Sequence, residues 1–157
     1  MITETSTQNG ARHLVITSRS GLEGLGRRGD HVAERILKYL LSRADLNLQA
    51  ATADGASQQE MANVVAALPR PLGGCALLAV RLRDGMFATL TKGAFEDVFT
   101  KVQAFEVLEN VIDMKSLDFF VSFSSVCGLF GNPGQTNYAT YVFVYPSALC
   151  NHLRIDI

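Results

Sequence analysis

The chain has 157 residues, 48% of them apolar and 18% charged, with a formal net charge of −1. That length suits one domain with a real core, and the balanced charge argues against the basic footprint that nucleic acid or an anionic membrane surface would require. No apolar run reaches the roughly 18 residues of a membrane-spanning helix. The polar start, residues 1–10, lacks a secretory core, and the scattered Cys75, Cys127 and Cys150 read as reduced thiols of a cytoplasmic protein.

Taken in order, the elements alternate. His13 to Ser18 is a short β-rich apolar run, followed by a loop from Ser20 to Gly29. Val32, Ile36, Leu37, Leu40 and Leu41 then recur at helical spacing. Leu46 to Thr52 reads as a second, weaker strand. Ser57 to Glu60 forms a capping box, in which the hydroxyl and the carboxylate each satisfy an orphan amide at a helix start. Met61, Val64, Val65 and Leu68 give that helix its apolar face, and Pro69 to Gly74 breaks it.

Cys75 to Val80 is a continuous apolar run, as expected of a strand covered on both faces. The longest helix is expected from about Gly93 to Asp113, with Phe95, Val98, Val102, Phe105 and Ile112 on one face. Leu117 to Phe123 reads as another buried strand, Gly128 to Thr136 as a Gly/Pro loop, and a last helix begins near Asn137. This alternation predicts an α/β fold with a mostly parallel sheet in a single domain over 1–157, with residues 1–10 disordered.

Three residues carry the candidate chemistry. Ser125 follows a buried strand, where parallel sheets place their active sites. Tyr138 comes thirteen residues later, after a Gly-rich loop that can fold its phenol back toward that hydroxyl. Lys101 falls at the edge of the apolar stripe of the long helix, so it can point toward the sheet. A tyrosine with pKa near 10 is a poor proton donor and acceptor at neutral pH, and a neighbouring ammonium lowers that value. A serine hydroxyl can orient a carbonyl and stabilise the charge that develops on its oxygen.

The segment FFVSFSSVCGLFGNPGQTNYA, Phe119 to Ala139, resembles the ketoreductase segment of type I polyketide synthases. So do GARHLVITSRSG, Gly10 to Gly21, and the stretch from Asp84 to Val102. The resemblance runs in register over nearly the whole chain. It implies an incomplete Rossmann-like, doubly wound parallel sheet of about five strands with flanking helices, in the short-chain dehydrogenase/reductase superfamily. It implies NADPH-dependent reduction of a β-ketoacyl group held on an acyl-carrier thioester. The family's catalytic serine, tyrosine and lysine fall on Ser125, Tyr138 and Lys101. Ser18 and Arg19 match its site for the 2′-phosphate of NADP, and Asp54 matches the acidic residue near the adenine.

The chain departs from that family in four respects. The family opens with a strand and a TGxxGGLG-like loop for the pyrophosphate, and this chain starts after both. The lost central strand leaves an inner edge that a second copy could cover, so a non-catalytic binding or structural protein, as a homodimer, is the alternative. Val80 stands where the family has a glycine against the cofactor. Val142 replaces an asparagine or lysine four residues after Tyr138, Pro146 interrupts the helix that follows, and the chain stops before the family's last strand. The GxGxxG-like run Gly24 to Gly29 does not follow its strand at once, as the dinucleotide fingerprint does, and reads as a loop. His13, His31 and His152 show no metal-ligand spacing, Arg27-Arg28 reads as a solvated turn, and Phe95, Phe99 and Phe105 read as core.

Overall fold

A computed structural model describes residues 10–21, 24 and 31–143. The chain divides into two compact units, Met1–Val64 and Val65–Ile157. The expectation of disorder at the N-terminus, most of the Gly24–Gly29 run, Cys150, His152 and Pro146 lie outside the described residues.

The first unit is built on two parallel strands. β1 (His13–Ser18) pairs with β2 (Asn47–Thr52) in register, His13 opposite Asn47 and Ser18 opposite Thr52. Parallel strands need a crossover, and α1 (His31–Ser42) supplies it. Leu40 (1% exposed) packs with Leu46 and Leu48, joined by Leu14, Ile16, Ile36 and Leu37. Val32 and Leu41, expected on that stripe, are exposed instead, because a helix this short turns only one narrow arc toward a two-stranded sheet. At the amino-terminal ends of the strands, Asp45 is clamped between Arg43 Nη2 (2.6 Å) and Arg12 Nη1 (2.7 Å). The Arg43 hydrogen bond holds its carboxyl down at about 2.

α2 (Gln58–Ala66) begins with Ser57, whose Oγ accepts the N–H of Glu60 at 3.4 Å. The other arm of the expected capping box is redirected. Glu60 Oε2 accepts the N–H of Asp54 at 2.9 Å, while Ser57 N–H donates to the Asp54 carbonyl. The carboxylate therefore closes the loop before the helix rather than its first turn. Leu68 falls beyond the end of the helix.

The second unit carries β3 (Gly74–Leu77) and β4 (Phe119–Ser122), again parallel, with Gly74 opposite Phe119 and Leu77 opposite Ser122. Four strands in two separate pairs therefore form among the described residues, where about five in one sheet are expected from the sequence. Both strands are shorter than their apolar runs. The ladder ends where Phe123 N–H donates to the Leu77 carbonyl. Beyond it, Arg81 and Arg83 are drawn off to Asp97 at 3.0 and 2.7 Å. Neither strand is covered on both faces: Leu78, Val80, Phe119, Val121 and Phe123 are exposed. Leu77 and Phe120 lie on the other face, where Phe120 meets the ring of Phe105 edge-on at 5.6 Å.

The expected long helix is two helices, α3 (Lys92–Val98) and α4 (Thr100–Val111). They part at Phe99, whose φ of −74° and ψ of 0° lie outside the helical well. Thr100 Oγ1 donates to the Asp97 carbonyl at 2.7 Å, a local bond that competes with the helix ladder. α4 then buries Lys101, Ala104, Phe105 and Leu108, the i, i+3, i+4, i+7 pattern of one face. α5 (Cys127–Phe130) occupies the start of the expected Gly/Pro loop, and α6 (136–143) begins one residue before Asn137.

Candidate active site

The three catalytic candidates share the second unit. Lys101 opens the buried face of α4 at 6% exposure, and its Nζ donates to the Phe123 carbonyl. That carbonyl is just past β4 and two residues before Ser125, so the bond brings the ammonium to the strand end that carries the serine. Burial lowers the lysine's pKa from the usual lysine value, since a low-polarity surrounding disfavours the charged form. Ser125 is half-buried, and its Oγ accepts the N–H of Cys127 at 3.2 Å. This bond fixes the turn into α5.

Tyr138 lies in the first turn of α6. Its ring is 5.9 Å from that of Tyr141, which in turn meets Phe99 edge-on at 5.9 Å. This row of rings ties the tyrosine helix to the break just before Lys101. α5 and α6 also touch directly. A Cβ on Gly128 would come within 3.3 Å of the Phe143 nitrogen and the Val142 carbonyl carbon. Glycine is therefore what allows this approach, and Val142 is buried in it. Cys127 Sγ lies 3.8 Å from Gln135 Oε1, joining the turn after Ser125 to the turn before Tyr138.

Sequence reading passed over three further residues of this region, Asp84, Gln135 and Asn137. Gln135 and Asn137 are buried, and their amides reach the 83–85 loop. Gln135 and Asn137 stand inside the GQTNYA motif beside Tyr138. Two amide residues just before a candidate tyrosine were the available signal, but the loop they bind lies 51 and 54 residues away.

The cofactor candidates belong to the first unit. Ser18 ends β1, and its carbonyl accepts the N–H of Ala53 at 3.0 Å. The sheet therefore sets Ser18 and Arg19 beside Ala53 and Asp54 at the carboxyl edge of the strands, where such sheets bind ligands. Arg19 is exposed there. Asp54 Oδ1 accepts the Ala56 N–H at 3.0 Å, and Gly21 turns the chain with φ of +55°. A guanidinium and a hydroxyl at this edge are a donor set that suits a phosphate dianion, so these residues fit the 2′-phosphate end of NADP.

Among the described residues no cluster of His, Cys, Asp or Glu is arranged to hold a metal ion. Nor is any helix there long and apolar enough to cross a membrane. Cys75 and Cys127 are free thiols.

Comparison with known proteins gives the family. The family model described as KR domain matches residues 2–154. A highly reducing polyketide synthase of Strobilurus tenacellus is 37% identical over 134 residues, which are 85% of this chain and 5% of that protein. A stereoselective keto-reductase of Aspergillus fumigatus is 35% identical over 148 residues, 87% of this chain and 13% of that protein. Two solved structures, an A1-type ketoreductase and an A-type ketoreductase from a modular polyketide synthase, both superpose with a TM-score of 0.79. They are 28% and 30% identical, and the match covers 96% of this chain and 31% of each of theirs. The chain thus spans a small part of the synthases it matches and about a third of the solved ketoreductases. With its parallel strands and the family match over residues 2–154, the chain belongs to the KR domain family, the ketoreductase domain of polyketide synthases.

Proposed function

We propose that this chain acts as an NADPH-dependent ketoreductase on a β-ketoacyl thioester carried by an acyl-carrier protein. The observation that carries this reading is the buried Lys101, with its Nζ on the Phe123 carbonyl two residues before Ser125. Taking a lysine side chain out of water at a strand end costs desolvation free energy. It makes sense where a positive charge is wanted near a phenol.

In this reading Ser125 Oγ donates to the substrate carbonyl oxygen and orients it. Tyr138 delivers the proton to that oxygen as it becomes an alcohol, and Lys101 supplies positive charge for the phenolate left behind. Arg19 and Ser18 select the 2′-phosphate of the cofactor, with Asp54 toward the adenine. When bound, NADPH supplies the hydride that reaches the carbonyl carbon. The test is oxidation of NADPH by a β-ketoacyl thioester, with NADH as control. Tyr138→Phe should abolish turnover while leaving NADPH binding intact. Unchanged turnover in that variant would overturn the mechanism.

A second reading rests on a different observation. Leu78, Val80, Phe119, Val121 and Phe123 make the open face of β3–β4 apolar and exposed, and exposed apolar patches mark interaction surfaces. A non-catalytic protein that dimerises through this face would bind no NADPH and would scatter light as a dimer. A monodisperse monomer counts against it.

A further inference from the structure

Tyr138 stands in the first turn of α6, where backbone N–H groups have no acceptor within the helix. The place of that turn is set by a polar group of residues just before it. Asn137 is fully buried, at 0% exposure. Its Nδ2 donates to the carbonyls of Arg83 and Ala94, both at 2.9 Å. Its Oδ1 accepts the N–H of Tyr138, also at 2.9 Å. Both amide hydrogens and the amide oxygen are thus engaged. Gln135 Nε2 donates to both carboxylate oxygens of Asp84, at 3.0 and 3.1 Å. Gln135 Oε1 accepts from Asn132 Nδ2 at 2.7 Å. Between these two bridges, Gly85 N–H donates to the Gly134 carbonyl at 2.8 Å. Residues 134, 135 and 137 therefore each reach across to the 83–85 loop.

We propose that Gln135 and Asn137 are positioning residues for Tyr138, and that the Asp84–Gln135 contact is the latch that closes the set. This deepens the reductase reading and rests on it. Neither residue is assigned any contact with substrate; both act through the backbone that carries Tyr138. Proton delivery in a carbonyl reduction depends steeply on the distance from donor to acceptor, so the helix start must be held from outside the helix. The latch has one exposed partner, Asp84, and one buried partner, Gln135. It can therefore be opened without emptying the core.

Replacing Gln135→Glu sets a carboxylate against Asp84 and opens the latch by like-charge repulsion. Adding Asp84→Asn restores a donor–acceptor pair with its polarity reversed. The chain has four tyrosines, so carbon-13 labelling of tyrosine rings gives few signals, and Tyr138→Phe assigns the one of interest. In Gln135→Glu the Tyr138 signal should shift or broaden, and kcat should fall about 10- to 100-fold, with KM changed no more than about twofold. The double variant should recover the signal and bring kcat back to within about threefold of the parent, the mark of direct coupling between the two sites.

Should Gln135→Glu fail to fold, Asp84→Ala opens the same latch from the exposed side. An unaltered Tyr138 signal in a folded single variant overturns the proposal, even if the melting temperature drops. So does a double variant no better than Gln135→Glu. If the parent chain reduces no carbonyl, the reductase reading fails, while the tyrosine signal still decides the latch.

Discussion

Truncating Phe105 should uncouple α4 from β4. The ring is 1% exposed and meets Phe120 edge-on at 5.6 Å with an interplanar angle of 61°. Phe105→Ala removes a buried ring and leaves a cavity, which together cost about 3–5 kcal/mol in well-packed cores. Roughly 0.5–1.5 kcal/mol of that reflects the lost aromatic pair. The chain has no tryptophan, so far-UV circular dichroism during urea unfolding is the suitable probe. Phe130→Ala is the control: at 86% exposure it should change stability by no more than about 0.5 kcal/mol. Phe105 lies one helical turn beyond Lys101 on the same face of α4. The variant should therefore also loosen the ammonium from the Phe123 carbonyl, seen as faster amide exchange at the end of β4. A loss below about 1 kcal/mol would refute the argument, because it would mean that the α4–β4 contact is not a packed core.

Two further outcomes follow from single residues. Burial lowers the Lys101 pKa, so the folded chain releases that proton before the unfolded chain does. Stability should rise with pH between the lowered value and the ordinary lysine value of 10.5. Lys101→Met should remove that rise when the two urea-unfolding series are subtracted, with the raised pKa of Cys75 common to both. Gly21 has φ of +55°, and a Cβ there would strike Thr52 Oγ1. Gly21→Ala should cost about 1–2 kcal/mol from the backbone alone and speed amide exchange at Ala53. Thr52→Ala should recover only the part due to the clash.

Several elements were legible in the residues alone. His13–Ser18 forms β1 at the expected bounds, and the Ile36, Leu37, Leu40 spacing forms the buried side of α1. The parallel α/β class follows from the alternation of such runs. Ser125 at a strand end and Tyr138 in a helix start were likewise readable, because local chain direction is set by neighbours in sequence. Other features were not. The break at Phe99 follows from a Thr100 hydroxyl bonded to a backbone carbonyl, which no hydrophobic period records. The apolar run Cys75–Val80 reads as a strand throughout, yet its ladder ends at Leu77, because strand length depends on the partner's length and on the pull of Asp97 on Arg81 and Arg83.

The sequence by itself determined which residues alternate and which recur at helical spacing, and hence the class of fold and the family motif around Tyr138. Tertiary structure alone decided what Lys101, Asp84, Gln135 and Asn137 touch. The partners that tie them to other elements of the fold lie 22 to 54 residues away, and a hydrogen bond over such a span leaves no periodic trace in the chain. It exists only once the loops that carry both ends have been folded against each other.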